Sequence, residues 1–135
     1  MKSKKLITIA EDIAIKNIHK HPLFYEQGRK LHFSFIVADG CIIEWGCNMA
    51  HTPPVHMGYA KRINNNEPKL HSEIVAYKKA KGLLRSNFEI INVRFNRAGK
   101  LRISMPCSVC YSILKGLGCK TFYFSNADGG YGKLR

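Results

Sequence analysis

Acidic residues are scarce: nine Asp and Glu stand against 22 Lys and Arg, giving a formal net charge of +13 at pH 7 and a pI near 9.8. Such an excess predicts attraction to polyanions or anionic substrates. The sequence also lacks any run of the roughly 18 to 20 apolar residues that a membrane-spanning helix needs. Its first residues (Met1, Lys2, Ser3, Lys4, Lys5) lead into an acid-containing helical pattern, so neither a membrane span nor a secretory signal is expected. Cysteine is sparse and odd in number at five, which excludes a fully paired disulfide framework. The one close pair is spaced C-x-x-C, which reads as metal or redox chemistry in a reducing compartment; the expected location is cytoplasmic or nuclear. Internal repeats, low-complexity tracts and a dividing linker are absent as well. With 135 residues, 45% of them hydrophobic and 23% charged, the composition is globular, and one domain is expected over residues 1–135.

The basic residues are unevenly spread. From Lys61 to Arg135 there are 15 Lys and Arg against four acids, Glu67, Glu73, Glu89 and Asp128. If the partner is a nucleic acid, this half faces it, although ordinary solvated lysines would produce the same count. Arg94, Arg97, Lys100 and Arg102 flank the segment that enters Pro106 and read either as phosphate contacts or as charges on a solvated strand edge.

Leu6, Ile7, Ile9, Ala10, Ile13, Ala14 and Ile18 recur with a helical period, and the spacing predicts a first helix over residues 5–19. Two short apolar runs, 32–37 and 41–45, flank Ala38-Asp39-Gly40 and read as an antiparallel hairpin. Residues 46–70 have no period but carry Pro53, Pro54, Gly58, three consecutive Asn and Pro68, so a long loop is expected there, with His51, His56 and Tyr59 in it. A second helix is predicted over 71–84 and a strand over 88–95. A short extended piece, 101–104, then leads into Pro106, which suits the first turn of a third helix over 107–116. A strand over 119–124 and a turn around Gly129-Gly130 close the chain as a terminal hairpin. Cys41, Cys47 and Cys119 read as buried small hydrophobes, and Trp45, Phe122, Tyr123 and Phe124 as mostly core.

The chemistry concentrates at two helix starts, His71-Ser72-Glu73 and Pro106-Cys107-Ser108-Val109-Cys110. C-x-x-C on a first turn points both thiolates to one side, and His71 from a neighbouring helix start completes three of the four tetrahedral positions of zinc. The fourth is then left for water, whose pKa zinc lowers to about 7. Two helix N-termini at the site add to its preference for negative charge. Glu73, two residues past His71, is placed to take a proton from that water and pass it to a leaving group. A closed structural site with Cys47 or Cys119 as fourth ligand is the alternative, but it leaves Glu73 without a role.

H-x-E followed by P-C-x-x-C is the signature of zinc nucleobase deaminases, and from the first strand onward the chain resembles the cytidine deaminase-like superfamily. That resemblance implies a three-layer α/β/α fold with a mixed sheet of about five strands, Zn2+ on His71, Cys107 and Cys110, and Glu73 as proton shuttle. It further implies substrate contacts at Asn48, within Gly46-Cys47-Asn48, at Ser72, and around Met105 and Pro106, where a backbone carbonyl accepts from the base's amino group. Ser72 stands where the family usually has Ala, and Met105 where Glu or Ser is commoner. Free-nucleoside members end on an antiparallel strand and polynucleotide members on a parallel one; about ten residues follow Phe124, too few for a parallel crossover. Yet free-cytidine members typically carry Cys in place of His71. The expected activity is hydrolysis of cytosine to uracil, slightly favoured in a nucleotide or in single-stranded DNA or RNA. The alternatives are a free cytidine or deoxycytidine deaminase, and an inactive zinc-stabilised nucleic-acid-binding module.

Overall fold

The computed structural model describes residues 2–26, 29–49, 71–85 and 87–135. Strand periodicity dictates its layers. In β1 (Leu31–Ala38), Leu31, Phe33, Phe35 and Val37 enter one apolar cluster, while Ile36 enters another across the sheet. In β3 (Phe88–Phe95), Ile91, Val93 and Phe95 join the first cluster, and Phe88 and Ile90 the second. A sheet apolar on both faces must be covered on both faces. The helix α1 (Lys2–Lys16) covers the first through Ala10 and Ala14; α2 (Ser72–Ala80) and α3 (Ser108–Gly116) cover the second through Ile74, Tyr77, Ile113 and Leu114. Phe33 and Phe35 are wholly buried, each contributing roughly 1.5–3 kcal/mol.

The remaining strands are β2 (Cys41–Cys47), β4 (Leu101–Arg102), β5 (Cys119–Ser125) and β6 (Tyr131–Leu134). Their order is β2-β1-β3-β5-β6, with β4 paired to β3. The β3–β5 pair is parallel and the others are antiparallel, so the sheet is mixed, as expected. The antiparallel β6 also agrees with the predicted terminal hairpin. Asp39 and Gly40, at φ 53° and 75°, form the tight turn between β1 and β2.

Several boundaries differ from expectation. The first helix runs from Lys2 to Lys16 and gives way to a 3₁₀ turn over Ile18–Lys20, in place of continuous helix to residue 19. The second ends at Ala80, followed by a 3₁₀ turn over Lys81–Leu83. Cys119 is buried as expected, but Cys41 is exposed and Cys47 only partly covered, because β2 is an edge strand. Trp45 and Tyr123 are likewise half-buried. Of the long loop expected over 46–70, the part after residue 49, with His51, His56 and Tyr59, lies outside the described residues.

Candidate metal centre

Helix ends assemble the site. His71 is the N-cap residue of α2 and Cys107 that of α3, each with extended backbone angles. The Cys107 sulfur accepts the backbone N–H of Cys110 at 3.4 Å, so one thiol caps the helix that carries the other. His71 Nδ1 stands 3.3 Å from Cys110 Sγ and 3.8 Å from Cys107 Sγ. The ligand atoms of the three residues all lie within 4.8 Å of one another. Among the described residues no other His, Cys, Asp or Glu joins this group; Cys47 and Cys119 do not. The Cys107 thiol is pushed down to about 4, chiefly by the hydrogen bond it accepts from the Cys110 thiol, with His71 adding to it. The same bond and burial push Cys110 up. His71 is raised, first by its hydrogen bond to Cys107. One imidazole nitrogen and two sulfurs on a helix N-terminus are the soft donor set that zinc accepts.

The metal group borders a cavity of about 510 Å³ that takes in His71, Ser72, Glu73, Cys107, Asn48 and Met105. Glu73 sits in the first turn of α2 and is 5% exposed. Burial raises its pKa above the usual carboxylate range. Met105 is half exposed at the cavity wall, whereas Pro106 is buried and Cys110 lies behind the wall. Pro106 therefore shapes the entry to α3 and is not part of the cavity lining.

Asn48 follows β2 and is held rigidly. His21 Nδ1 accepts the Leu23 N–H at 3.0 Å, so its proton is on Nε2 and is donated to Asn48 Oδ1 at 2.7 Å. The His32 N–H donates to the same oxygen, and Asn48 Nδ2 donates to the Lys30 carbonyl. Among the described residues its second amide hydrogen has no partner, and it is the group a ligand could take. Gly46, two residues earlier, is where β2 and α2 touch: a Cβ there would stand 2.7 Å from Val75 Cγ1 and 2.8 Å from the Ala76 nitrogen. The close approach that seats the first turn of α2 thus requires glycine.

Sequence reasoning missed several neighbours. Arg29, Lys30 and His32 also line the cavity, and Ser34 and Asn92 lie buried beside Glu73; Arg94, a phosphate candidate from the sequence, lines it too. A signal existed for Ser34 and Asn92: each is a polar residue between two apolar neighbours, Phe33 and Phe35 for the first and Ile91 and Val93 for the second.

No protein-family model matches the sequence, and no curated protein matches it. Among solved structures, a crystal structure of a glutamate-to-glutamine mutant of cytidine deaminase from Mycobacterium tuberculosis is similar. Its TM-score is 0.51 at 14% identity, over 83% of this chain and 81% of that one. The chain has the cytidine deaminase-like fold, with a His/Cys/Cys group able to hold a metal where two of its helices begin.

Proposed function

We propose that the protein is a zinc-dependent hydrolytic deaminase that converts cytosine to uracil, with a phosphate-bearing nucleotide as substrate. The observation that carries this reading is the His71, Cys107 and Cys110 group opening onto a cavity in which Glu73 is the buried carboxylate. Zinc held by those three residues would supply the Lewis acidity that makes water nucleophilic near neutral pH. The overall change is water for ammonia at C4. Glu73 takes a proton from the attacking water and delivers it to the departing amino nitrogen. Asn48, one amide hydrogen of which has no partner among the described residues, binds the sugar or the base, while the Met105 carbonyl side of the wall accepts from the amino group.

Charge and topology together support a nucleotide. Arg29, Lys30 and Arg94 line the cavity, and among the described residues Glu73 is the sole carboxylate in its lining. Among the described residues neither Lys30 nor Arg94 has a carboxylate within 4.0 Å, and Arg29 reaches only Glu26 at that limit. An antiparallel last strand, as in free-nucleoside deaminases, supports a substrate of nucleoside size. A single-stranded DNA or RNA substrate is the second reading, favoured by the net charge of +13.

Ammonia release by the zinc-loaded protein, offered cytidine, deoxycytidine, their monophosphates and a cytosine-containing single-stranded oligonucleotide, tests the proposal, with Glu73→Gln as control. Monophosphates should react best, and Glu73→Gln should keep zinc while losing at least about 10²-fold in rate. Preference for the oligonucleotide moves the second reading forward. Zinc binding without turnover of any of these compounds refutes the enzyme and leaves a zinc-stabilised binding module.

A further inference from the structure

We propose that Asn92, together with Ser34 and Ser72, is a positioning unit that holds the Glu73 carboxylate in its working orientation. The inference rests on the proton-carrying role given to Glu73 above.

Asn92 is an unexpected residue for its place. It lies in β3, in the interior of the sheet, flanked by Ile91 and Val93, and is 2% exposed. A buried amide at such a position must have its hydrogen bonds met. All of them are. Asn92 Oδ1 accepts from Ser34 Oγ at 2.6 Å, and Nδ2 donates to Glu73 Oε2 at 3.3 Å and to the Ser104 carbonyl at 3.1 Å. Flipping the amide would set its oxygen against both of those acceptors, so the orientation is determined by the surroundings.

The strand register explains how the group comes together. Ser34 on β1 and Asn92 on β3 are direct cross-strand partners. Ser34 gives its single proton to Asn92, and so accepts from Ser72 Oγ at 2.7 Å. Ser72 Oγ also stands 3.3 Å from Glu73 Oε1. Four side chains thus close a ring, Glu73 to Asn92 to Ser34 to Ser72 and back to Glu73, with both carboxylate oxygens contacted from within the protein. Ser72 has one proton and two acceptors, Ser34 and Glu73, and can turn between them without breaking the rest. The serine that replaces the family's usual alanine therefore has work to do here. Solvent reaches the three supporting residues little, since Ser34, Ser72 and Asn92 are each at most 2% exposed. The ring leaves Glu73 little rotational freedom while its cavity side stays open to substrate.

The test compares zinc-loaded Asn92→Ala, Ser34→Ala and Ser72→Ala with the parent protein, measuring kcat, KM, bound zinc and melting temperature. The expected result for Asn92→Ala is a loss in kcat of about 10- to 100-fold, with KM within about threefold and zinc at one equivalent. Ser72→Ala, which keeps the Asn92 contact, should lose less. Isotope-edited infrared spectra of ¹³C-glutamate-labelled protein supply a readout independent of turnover. The Glu73 carboxylate band, identified by its absence from Glu73→Gln, should shift in Asn92→Ala and Ser34→Ala and stay fixed in Lys133→Ala. A protein that releases no ammonia at all would sink the deaminase reading and leave this spectral test standing. An unshifted band in both ring variants, or an unchanged kcat in a folded, zinc-loaded Asn92→Ala, overturns the positioning role.

Discussion

Replacing Gly46 by alanine tests whether the site depends on one close helix-to-strand contact. The new Cβ would lie 2.7 Å from Val75 Cγ1 and 2.8 Å from the Ala76 nitrogen, where ordinary contact begins at 3.4 Å. The Ala76 nitrogen is backbone and cannot rotate aside, so β2 and α2 must separate by about 0.6 to 0.7 Å. Overpacking of this kind costs about 1–3 kcal/mol, and at this chain length it should lower the melting temperature by about 4–12 °C. The separation has a second effect, because α2 begins with the His71-Ser72-Glu73 segment whereas Cys107 and Cys110 ride on α3. Moving one helix and not the other pulls His71 away from the two sulfurs. Zinc affinity, measured by competition with a chromophoric chelator, should therefore fall about tenfold or more, beyond what the thermal loss alone explains. A melting temperature within 1 °C of the parent, or an unchanged zinc affinity in a destabilised variant, would refute the reasoning.

Other consequences are equally direct. Burial holds His32 down at about 3, with Arg94, His71 and Lys30 adding to it; an unfolded histidine titrates near 6.5. The unfolded chain then binds more protons between those two values, so stability is full above pH 6.5 and falls as pH drops toward 3. The loss at that site is bounded at about 5 kcal/mol, reduced by the ring's partial exposure, and urea titrations should show a shallower acid slope in His32→Ala. Alkylation followed by mass spectrometry should modify Cys107 rapidly in chelator-treated protein and not in zinc-loaded protein, while the exposed Cys41 reacts in both; equal labelling of Cys107 in both would remove it from the metal group. Arg94→Ala should raise KM for a monophosphate about tenfold or more and leave KM for the free nucleoside within about twofold, and equal effects on both would remove Arg94 from phosphate recognition.

Much of this was legible in the residues, for identifiable reasons. The strand over 88–95 was bounded by its apolar content and by Gly99 beyond it, and the observed Phe88–Phe95 has the same limits. The starts of α2 and α3 were legible to within a residue: the helices expected from residues 71 and 107 begin at Ser72 and Ser108, with His71 and Cys107 as their N-caps and Pro106 just ahead of the first turn. Their convergence was legible only through the motif pair, since no local rule brings residue 71 to residues 107 and 110. The ring around Glu73 was invisible for the same reason: it depends on the pairing of Ser34 with Asn92, which are 58 positions apart. Arg94 read equally as a phosphate contact or a solvated edge cation; the pairing of β4 with β3 sets it beside Arg102, and its Nη1 donates to the Ile103 carbonyl at 3.2 Å. The end of α1 was misread because Ile18, though in phase with the helix, is buried by a 3₁₀ turn instead.

The most direct test of the central claim is X-ray absorption at the zinc edge of the loaded, full-length protein. An enzyme site of the kind argued here should show two sulfur donors, one histidine nitrogen and one further light-atom donor, with the sulfur count falling to one in Cys107→Ser. Three or four sulfurs, or a second histidine nitrogen in the first coordination sphere, would mean a closed structural centre and would contradict the account.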